Sequence, residues 1–292
     1  MERLAVPEID YEDYTNRQLV LVPLVLLVIA LAIIGGTWAV TGTPAHLGIE
    51  FTGGVEMTVE GADGSEEILE AFDREPEEIR GVSGYDDRYI LTFRVDIEED
   101  ARIGGDLEDQ AEAAGFNVLS LDERSASFGA DTQREAILGV GLAFLGMSLL
   151  VAAIFRTFVP SIAIVASAFS DIMIPIALMN LLGIELSLGT VAALLMLIGY
   201  SVDSDILLNN QVLRRRGDFY ESTQRAMRTG VTMTTTSIVA MIVMTIVAWL
   251  FQIPLLPAVG IVLVFGLCAD LMNTYLLNVS LLRYYKYEGI AK

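Results

Sequence analysis

Six apolar runs, each near 20 residues, constrain this chain more than any other feature. They lie at 19–40, 136–155, 158–180, 187–208, 231–251 and 255–282. A hydrocarbon core about 30 Å thick needs roughly 20 helical residues to cross it, and backbone groups inside lipid must be satisfied within the segment. The runs therefore predict a helical membrane protein of six spans, arranged as one span, a water-facing segment of about 90 residues, and five clustered spans. The expected domains are an N-terminal segment at 1–18, a first membrane helix at 19–41, an acidic α+β domain at 42–133, a five-helix bundle at 134–284 and a C-terminal segment at 285–292. The polar, acidic start does not read as a cleaved signal peptide.

Basic residues near the spans set the expected orientation. Arg156 lies between spans two and three. Arg214, Arg215, Arg216, Arg225 and Arg228 lie between spans four and five, and Arg283, Lys286 and Lys292 follow span six. The turns at 180–187 and 252–256 carry no lysine or arginine. Strict alternation then places both termini in the cytoplasm and the acidic domain outside a cell membrane.

Charge is concentrated in that domain. Residues 44–131 hold 24 Asp and Glu against 6 Arg and no Lys, which is 18 of the 20 net negative charges. An acidic surface with almost no lysine suits molar salt, where screening weakens self-repulsion, so a halophile is the expected source. The same surface argues against nucleic acid as a partner. One cysteine (Cys268) and one histidine (His46) leave no disulfide and no Cys/His metal cluster to expect. No cofactor is expected either.

Within the domain the pattern reads as a strand at 49–60 bent at Gly53-Gly54, a helix at 65–73, strands at 78–82 and 89–95, a helix at 104–114 and a strand at 116–125. The order β-α-β-β-α-β predicts a ferredoxin-like sandwich with its helices on one face of the sheet. Gly53 and Gly54 read as a hinge or a tight strand entry.

Ionisable side chains at bilayer depth are costly and default to functional candidates. Four stand out: Asp171 in span three, Asp203 and Asp205 in span four, and Asp270 in span six near Asn273 and Thr274. Thr232, Thr234, Thr235, Thr236 and Ser237 begin span five, and interhelical hydrogen bonding is the plainer reading for that run. A carboxylate held away from water can bind and release a proton. Asp203 and Asp205 point roughly 200° apart on a helix, so they form no dyad and at most one faces a given seam. Arg228 is the expected charge partner, which favours Asp203 as the relay residue. Asp205 has the alternative of reaching the cytoplasmic interface.

Several motifs then carry a resemblance. Residues 47–54 (LGIEFTGG) are similar to the G-[IL]-[DE]-F-x-G-G motif that follows the first span of the SecD/SecF family, with Gly48, Glu50, Phe51, Gly53 and Gly54 on the motif. Residues 182–188, 192–195 and 198–203 resemble the family's fourth-span motif, centred on Gly199, Tyr200 and Ser201. Residues 228–235 (RTGVTMTT) resemble its fifth-span start, and Ser170-Asp171 stands where the family often has His-Asp. The resemblance covers residues 17–285; the Gly-Tyr-Ser form resembles the family's SecF branch, and the halophile signature points to an archaeal version.

The resemblance implies a half bundle of the RND transporter type, a SecD-like six-helix partner, the Sec translocon channel, and an unfolded exported polypeptide as the object of the work. It implies ion coupling through a fourth-span acid and a fifth-span arginine. These map to the Asp203/Ser204 region and Arg228; strict alignment puts Ser204 where the bacterial acid sits and Asp203 where its Asn sits. One charge crossing 100 mV yields about 2.3 kcal/mol. Sodium stands beside the proton as coupling ion. The chain has no phosphate-binding loop, so no ATP hydrolysis and no catalytic residues are expected. An RND-type small-solute transporter subunit and a non-transporting scaffold for SecD and the channel are the alternative readings.

Overall fold

The computed structural model describes residues 11, 13–82, 85–214, 218–251, 253 and 255–288. Arg215, Arg216 and Lys292, used above for orientation, lie outside them, as do 1–10, 12, 252, 254 and 289–292 of the segments named there. The chain is a helical membrane protein, and among the described residues six helices are long and apolar enough to cross a membrane. It divides into two compact units, residues 47–138 and the remainder.

The smaller unit opens with a single helical turn, α1 (Ile49–Thr52), followed by β1 (Gly54–Glu60), α2 (Ser65–Ala71), β2 (Glu78–Gly81), β3 (Arg88–Phe93), α3 (Ile103–Ala113) and β4 (Asn117–Arg124). The strand read from residue 49 thus starts at Gly54. The reason is local: Gly53 has φ 74° and Gly54 φ 126°, and these angles turn the chain sharply between helix and strand. Glycine takes that region without a Cβ penalty. A Cβ at Gly53 would also stand 2.7 Å from the Ala126 backbone N, and one at Gly54 2.5 Å from the Phe93 carbonyl.

The strands form one antiparallel sheet in the order β2-β3-β1-β4. Alternation along β1 sends Val55, Met57 and Val59 into a core with Leu91 and Phe93 of β3, Ile68 of α2, and Leu107 and Ala111 of α3. Both helices therefore cover the same face. The other face is polar. Arg88 donates through Nε (2.9 Å) and Nη2 (2.6 Å) to Glu60 Oε1 across β1 and β3. That guanidinium, with the Asn117 amide behind it, holds the Glu60 carboxyl below its ordinary range. Glu56 stands opposite Asp122 on β4. Burial pushes its carboxyl up; Asp122, Glu50 and Glu78 add to the shift and Arg80 opposes it.

The larger unit holds α4 (Asn16–Thr41), α6 (Phe158–Leu182), α7 (Leu188–Arg214), α8 (Phe219–Leu250), and a last helix that runs from α9 (Leu256–Met272) through a π-helical stretch, Asn273–Asn278, into α10 (Val279–Arg283) and a second π-helical turn, Tyr284–Glu288. The remaining long helix is α5 (Ala126–Phe155). Two helices begin well before their apolar runs, α5 by ten residues and α8 by twelve. For α8 the cause is visible: Asp218 caps it by accepting from the Tyr220 N–H at 3.0 Å, and Glu221 pairs with Arg225 one turn on at 2.7 Å. Arg225 and Arg228 are therefore helical rather than loop residues.

The last helix packs against α6, α7 and α8, and α4 packs against α6. α6, α7 and the last helix supply most of the interior, whereas α4, α5 and α8 leave most of their apolar surface exposed. Ahead of α4, Tyr11 is buried and reaches the end of the bundle. Its hydroxyl donates to the Tyr275 carbonyl at 3.1 Å, and Arg283 Nη1 donates to the carbonyls of Tyr11 (2.9 Å) and Tyr14 (2.8 Å).

Candidate functional site

Three of the four acidic candidates meet inside the bundle. Asp171 of α6, Asp205 of α7 and Asp270 of α9 are all buried. Ser201 Oγ donates to Asp171 Oδ2 at 2.6 Å, and Asn273 Nδ2 donates to Asp171 Oδ1 at 2.5 Å. Thr274 Oγ1 (2.9 Å) and Asn278 Nδ2 (2.8 Å) reach Asp205 Oδ1. Ser204 Oγ reaches Asp270 Oδ1 at 2.7 Å. Asn209 Nδ2 donates to the Asp205 carbonyl at 2.8 Å. Every one of these partners is a neutral hydroxyl, amide or carbonyl. The three carboxylates also interact electrostatically with one another.

The π-helical stretch sits at this point of the last helix. Asn273, Thr274 and Asn278 all belong to it, and all three donate to the carboxylates of α6 and α7. π-Helical turns inside α-helices are rare and recur at functional sites.

The remaining candidates fall elsewhere. Asp203 stands on an exposed face of α7 with Gly199 and Tyr200, and a Cβ at Gly199 would meet nothing within 4 Å. Arg228 lies on an exposed face of α8. The opposed directions of Asp203 and Asp205 are as helical geometry requires, but the one turned inward is Asp205. Asp205 is fully buried rather than placed at an interface, because α7 turns Ser201 toward Asp171 of α6 and Asp205 and Asn209 toward the last helix. The threonine run of α8 satisfies itself: Thr232 donates to the Arg228 carbonyl and Thr236 to the Thr232 carbonyl, each at 2.7 Å. Of that run only Thr234 is buried.

Sequence reading passed over Ser167 and Asn278, and placed Asn209 on one face with Asp205 without making it a candidate. A signal was present. Polar residues recur every fourth position as Ser167/Asp171, Ser201/Asp205/Asn209 and Asp270/Thr274/Asn278. That spacing marks one face of each helix. In the smaller unit, Gly48 precedes the turn that carries Glu50 and the buried Phe51, and Gly53 and Gly54 make the strand entry described above.

The arrangement provides three buried carboxylates on three helices, supported by neutral groups. Among the described residues no group of three or more His, Cys, Asp or Glu is placed to hold a metal ion.

Comparison with known proteins agrees with this architecture. The family described as "Protein export membrane protein SecD/SecF, C-terminal" matches residues 107–288. "Protein-export membrane protein SecF" of Haloferax volcanii is 62% identical over 292 residues, covering 100% of both chains. Its namesake from Haloquadratum walsbyi is also 62% identical, again over 100% of both. The namesake from Methanocaldococcus jannaschii is 38% identical, over 93% of this chain and 96% of that one. The first two are haloarchaeal, in keeping with the acidic, lysine-poor surface. The crystal structure of SecDF, a translocon-associated membrane protein from Thermus thermophilus, superposes with a TM-score of 0.73 at 20% identity, over 98% of this chain and 40% of that one. A second SecDF structure, in a super-membrane-facing form, gives 0.60 at 16% identity, over 99% and 40%. At such identity the likeness speaks for the fold, and this chain spans about 40% of the length of those SecDF chains. On the family match and the end-to-end identity to its haloarchaeal relatives, the chain belongs to the SecF family of protein-export membrane proteins.

Proposed function

We infer that this chain is the accessory subunit of Sec-dependent protein export that works beside a SecD-type partner at the translocon. It promotes movement or release of the exported polypeptide and has no covalent chemistry of its own. The observation that carries the reading is the full-length identity to SecF relatives. One feature of the fold asks for the partner: Asp203, on a bundle-forming helix, faces outward beside Gly199 and Tyr200. A carboxylate facing lipid is costly, and covering it with a second six-helix bundle removes that cost.

In this reading both termini, residues 1–18 and 285–292, are cytoplasmic and the 42–133 domain is extracytoplasmic, in a cell membrane. The element order β-α-β-β-α-β, the strand order and the shared helix face support a ferredoxin-like domain. Such a unit can move as one body against an unfolded chain. Export is coupled to an ion gradient through the bundle. The buried Asp171, Asp205 and Asp270 with Ser204 form the inner station, and Asp203 and Arg228 face the partner. The neutral environment of the three buried carboxylates supports ion uptake.

The test is affinity purification of the tagged chain from native membranes in high salt, followed by secretion assays. Co-purification of a SecD-type protein and translocon subunits, with a secretion defect in Asp205→Asn, is the expected result. A chain that emerges alone, or full secretion in its absence, refutes the export reading.

A further inference from the structure

We propose that the cleft between the end of α5 and the start of α6 is a binding site for an anionic phospholipid, whose phosphate is held by Arg156 and Thr157. The site lies apart from the buried carboxylates and does not depend on the export reading. The cleft has a volume of about 510 Å³, enough for a small-molecule ligand. Its charge is uncompensated. Arg156 is the only charged residue between Glu135 and Asp171. It stands exposed in the two-residue link between the helices and makes no ion pair among the described residues. Thr157, the other link residue, is the N-cap of α6, yet its side chain caps nothing. Pro160, three positions on, has no N–H to offer such a cap. The Thr157 Oγ1 atom is buried and has no partner. The serine hydroxyls of the cleft are already committed: Ser148 donates to the Phe144 carbonyl at 2.8 Å and Ser161 to the Thr157 carbonyl at 2.7 Å.

What remains at this end of the cleft is a guanidinium, a hydroxyl with no partner and the N–H groups that open a helix, all of which donate. Such a set favours an anion, and a guanidinium fork suits a phosphate. The rest of the cleft selects the source of that phosphate. Ala152 of α5 and Phe158, Ile162 and Val165 of α6 line it, the last three on one stripe of the helix. A free phosphate gains nothing from an apolar stripe. In the molar salt that suits the acidic, lysine-poor surface, charge attraction is also screened within about 3 Å. A phospholipid uses both features: its headgroup meets Arg156 and Thr157, and a hydrocarbon chain lies along Ile162 and Val165. Basic pockets between membrane helices take anionic headgroups by the same chemistry. The bound lipid braces α5, which leaves most of its apolar surface exposed, against α6.

The experiment uses the purified, delipidated full-length chain in detergent at molar salt. Phosphatidylglycerol, phosphatidylcholine with the same chains, or inorganic phosphate is titrated in, and the unfolding midpoint is read. Saturable stabilisation by phosphatidylglycerol, well above that by phosphatidylcholine, is expected, since a ligand that binds only the folded state stabilises it by mass action. Inorganic phosphate should do nothing. Arg156→Gln should weaken the apparent affinity for phosphatidylglycerol about tenfold, as one charged donor is lost. Thr157→Val should weaken it too, and should leave the lipid-free midpoint unchanged or raised, because the deleted hydroxyl has no partner. Arg156→Gly separates binding from structure. Arg156 has φ 54°, a region that glycine takes freely, so the lipid-free midpoint should hold while the lipid response falls. A lowered midpoint with an unchanged lipid titration in the Arg156 variants would give the arginine a structural role only and overturn the proposal. If the Arg156 variants do not fold, Thr157→Val decides. Equal responses to the two lipids, or a Thr157→Val chain that titrates like the wild type, overturn the proposal as well. Saturation by inorganic phosphate would replace the lipid with a free anion as the occupant, and the lipid assignment would fall.

Discussion

Gly230 of the Arg-Thr-Gly motif tests how the last helix is seated. A Cβ at this position would lie 2.0 Å from the Tyr275 hydroxyl oxygen and 3.3 Å from the ring carbon that bears it. Tyr275 cannot simply swing aside. Its ring is 6% exposed and packs with Leu208, Met227, Val279 and Leu282. Its hydroxyl faces the Ala226 carbonyl at 3.5 Å, and its own carbonyl holds Tyr11. Forcing a methyl into such a core costs about 1–3 kcal/mol. Alanine in place of a helical glycine returns about 1 kcal/mol, so Gly230→Ala should destabilise by about 0–2 kcal/mol. Tyr275→Phe alone loses one long hydrogen bond, worth at most about 1 kcal/mol. In the Phe background only the ring carbon remains near the new methyl, and a few tenths of an ångström relieves it. Gly230→Ala should then be neutral or stabilising, which makes the pair non-additive by about 1–3 kcal/mol. Unfolding midpoints of the four proteins in detergent at high salt measure the cycle. Additive effects, with Gly230→Ala equally costly in both backgrounds, would refute the seating described here.

Three further predictions concern the smaller unit. Glu56 and Asp122 oppose each other on paired strands, so Asp122→Asn should stabilise the domain by about 0.2–1 kcal/mol in dilute buffer. The gain should vanish toward 1 M salt, where the Debye length is about 3 Å. The Glu56 carboxyl is raised mainly by burial, so its contribution is fully present below the unfolded carboxylate value and lost as pH rises through the raised one. A pH series of domain unfolding should show that slope in wild type and not in Glu56→Gln; identical slopes would count against the burial argument. Gly53→Ala should cost at least about 1–3 kcal/mol, from backbone strain alone, and expose the domain to protease. Wild-type protease resistance in that variant would mean that the entry at 53–54 has room the geometry denies.

The large features were legible because they are written in one dimension. An apolar run of 20 residues needs no knowledge of its neighbours to be recognised as a membrane span, and the element order of the acidic domain followed from alternation and capping. The turn at 49–52 was not legible in that way. Ile-Glu-Phe-Thr has strand-like composition, and only the positive φ of Gly53 shows that the chain reverses character there. The early start of α8 was hidden for a related reason: its first two turns are polar, and polarity reads as loop until the Asp218 cap and the Glu221–Arg225 pair are seen.

The choice between Asp203 and Asp205 was harder, and it turns on what surrounds each at helical spacing. Residues four before and four after Asp203 are Gly199 and Leu207, whereas those around Asp205 are Ser201 and Asn209. A carboxylate buried between helices needs donors, and on a helix those donors come from the same stripe or from the facing one. Asp205 shares its stripe with Ser201 and Asn209, which bond Asp171 and the Asp205 carbonyl, and its carboxylate takes its donors from Thr274 and Asn278 opposite. Asp203 has neither and is exposed. The search for a charge partner, which led to Arg228, presumed that the carboxylate is balanced by a cation of the protein. In this bundle the buried acids are surrounded instead by hydroxyls and amides. The neutral stripe around Asp205 is therefore the sequence signal that marks the buried carboxylate, since it supplies the hydroxyls and amides that a carboxylate between helices requires.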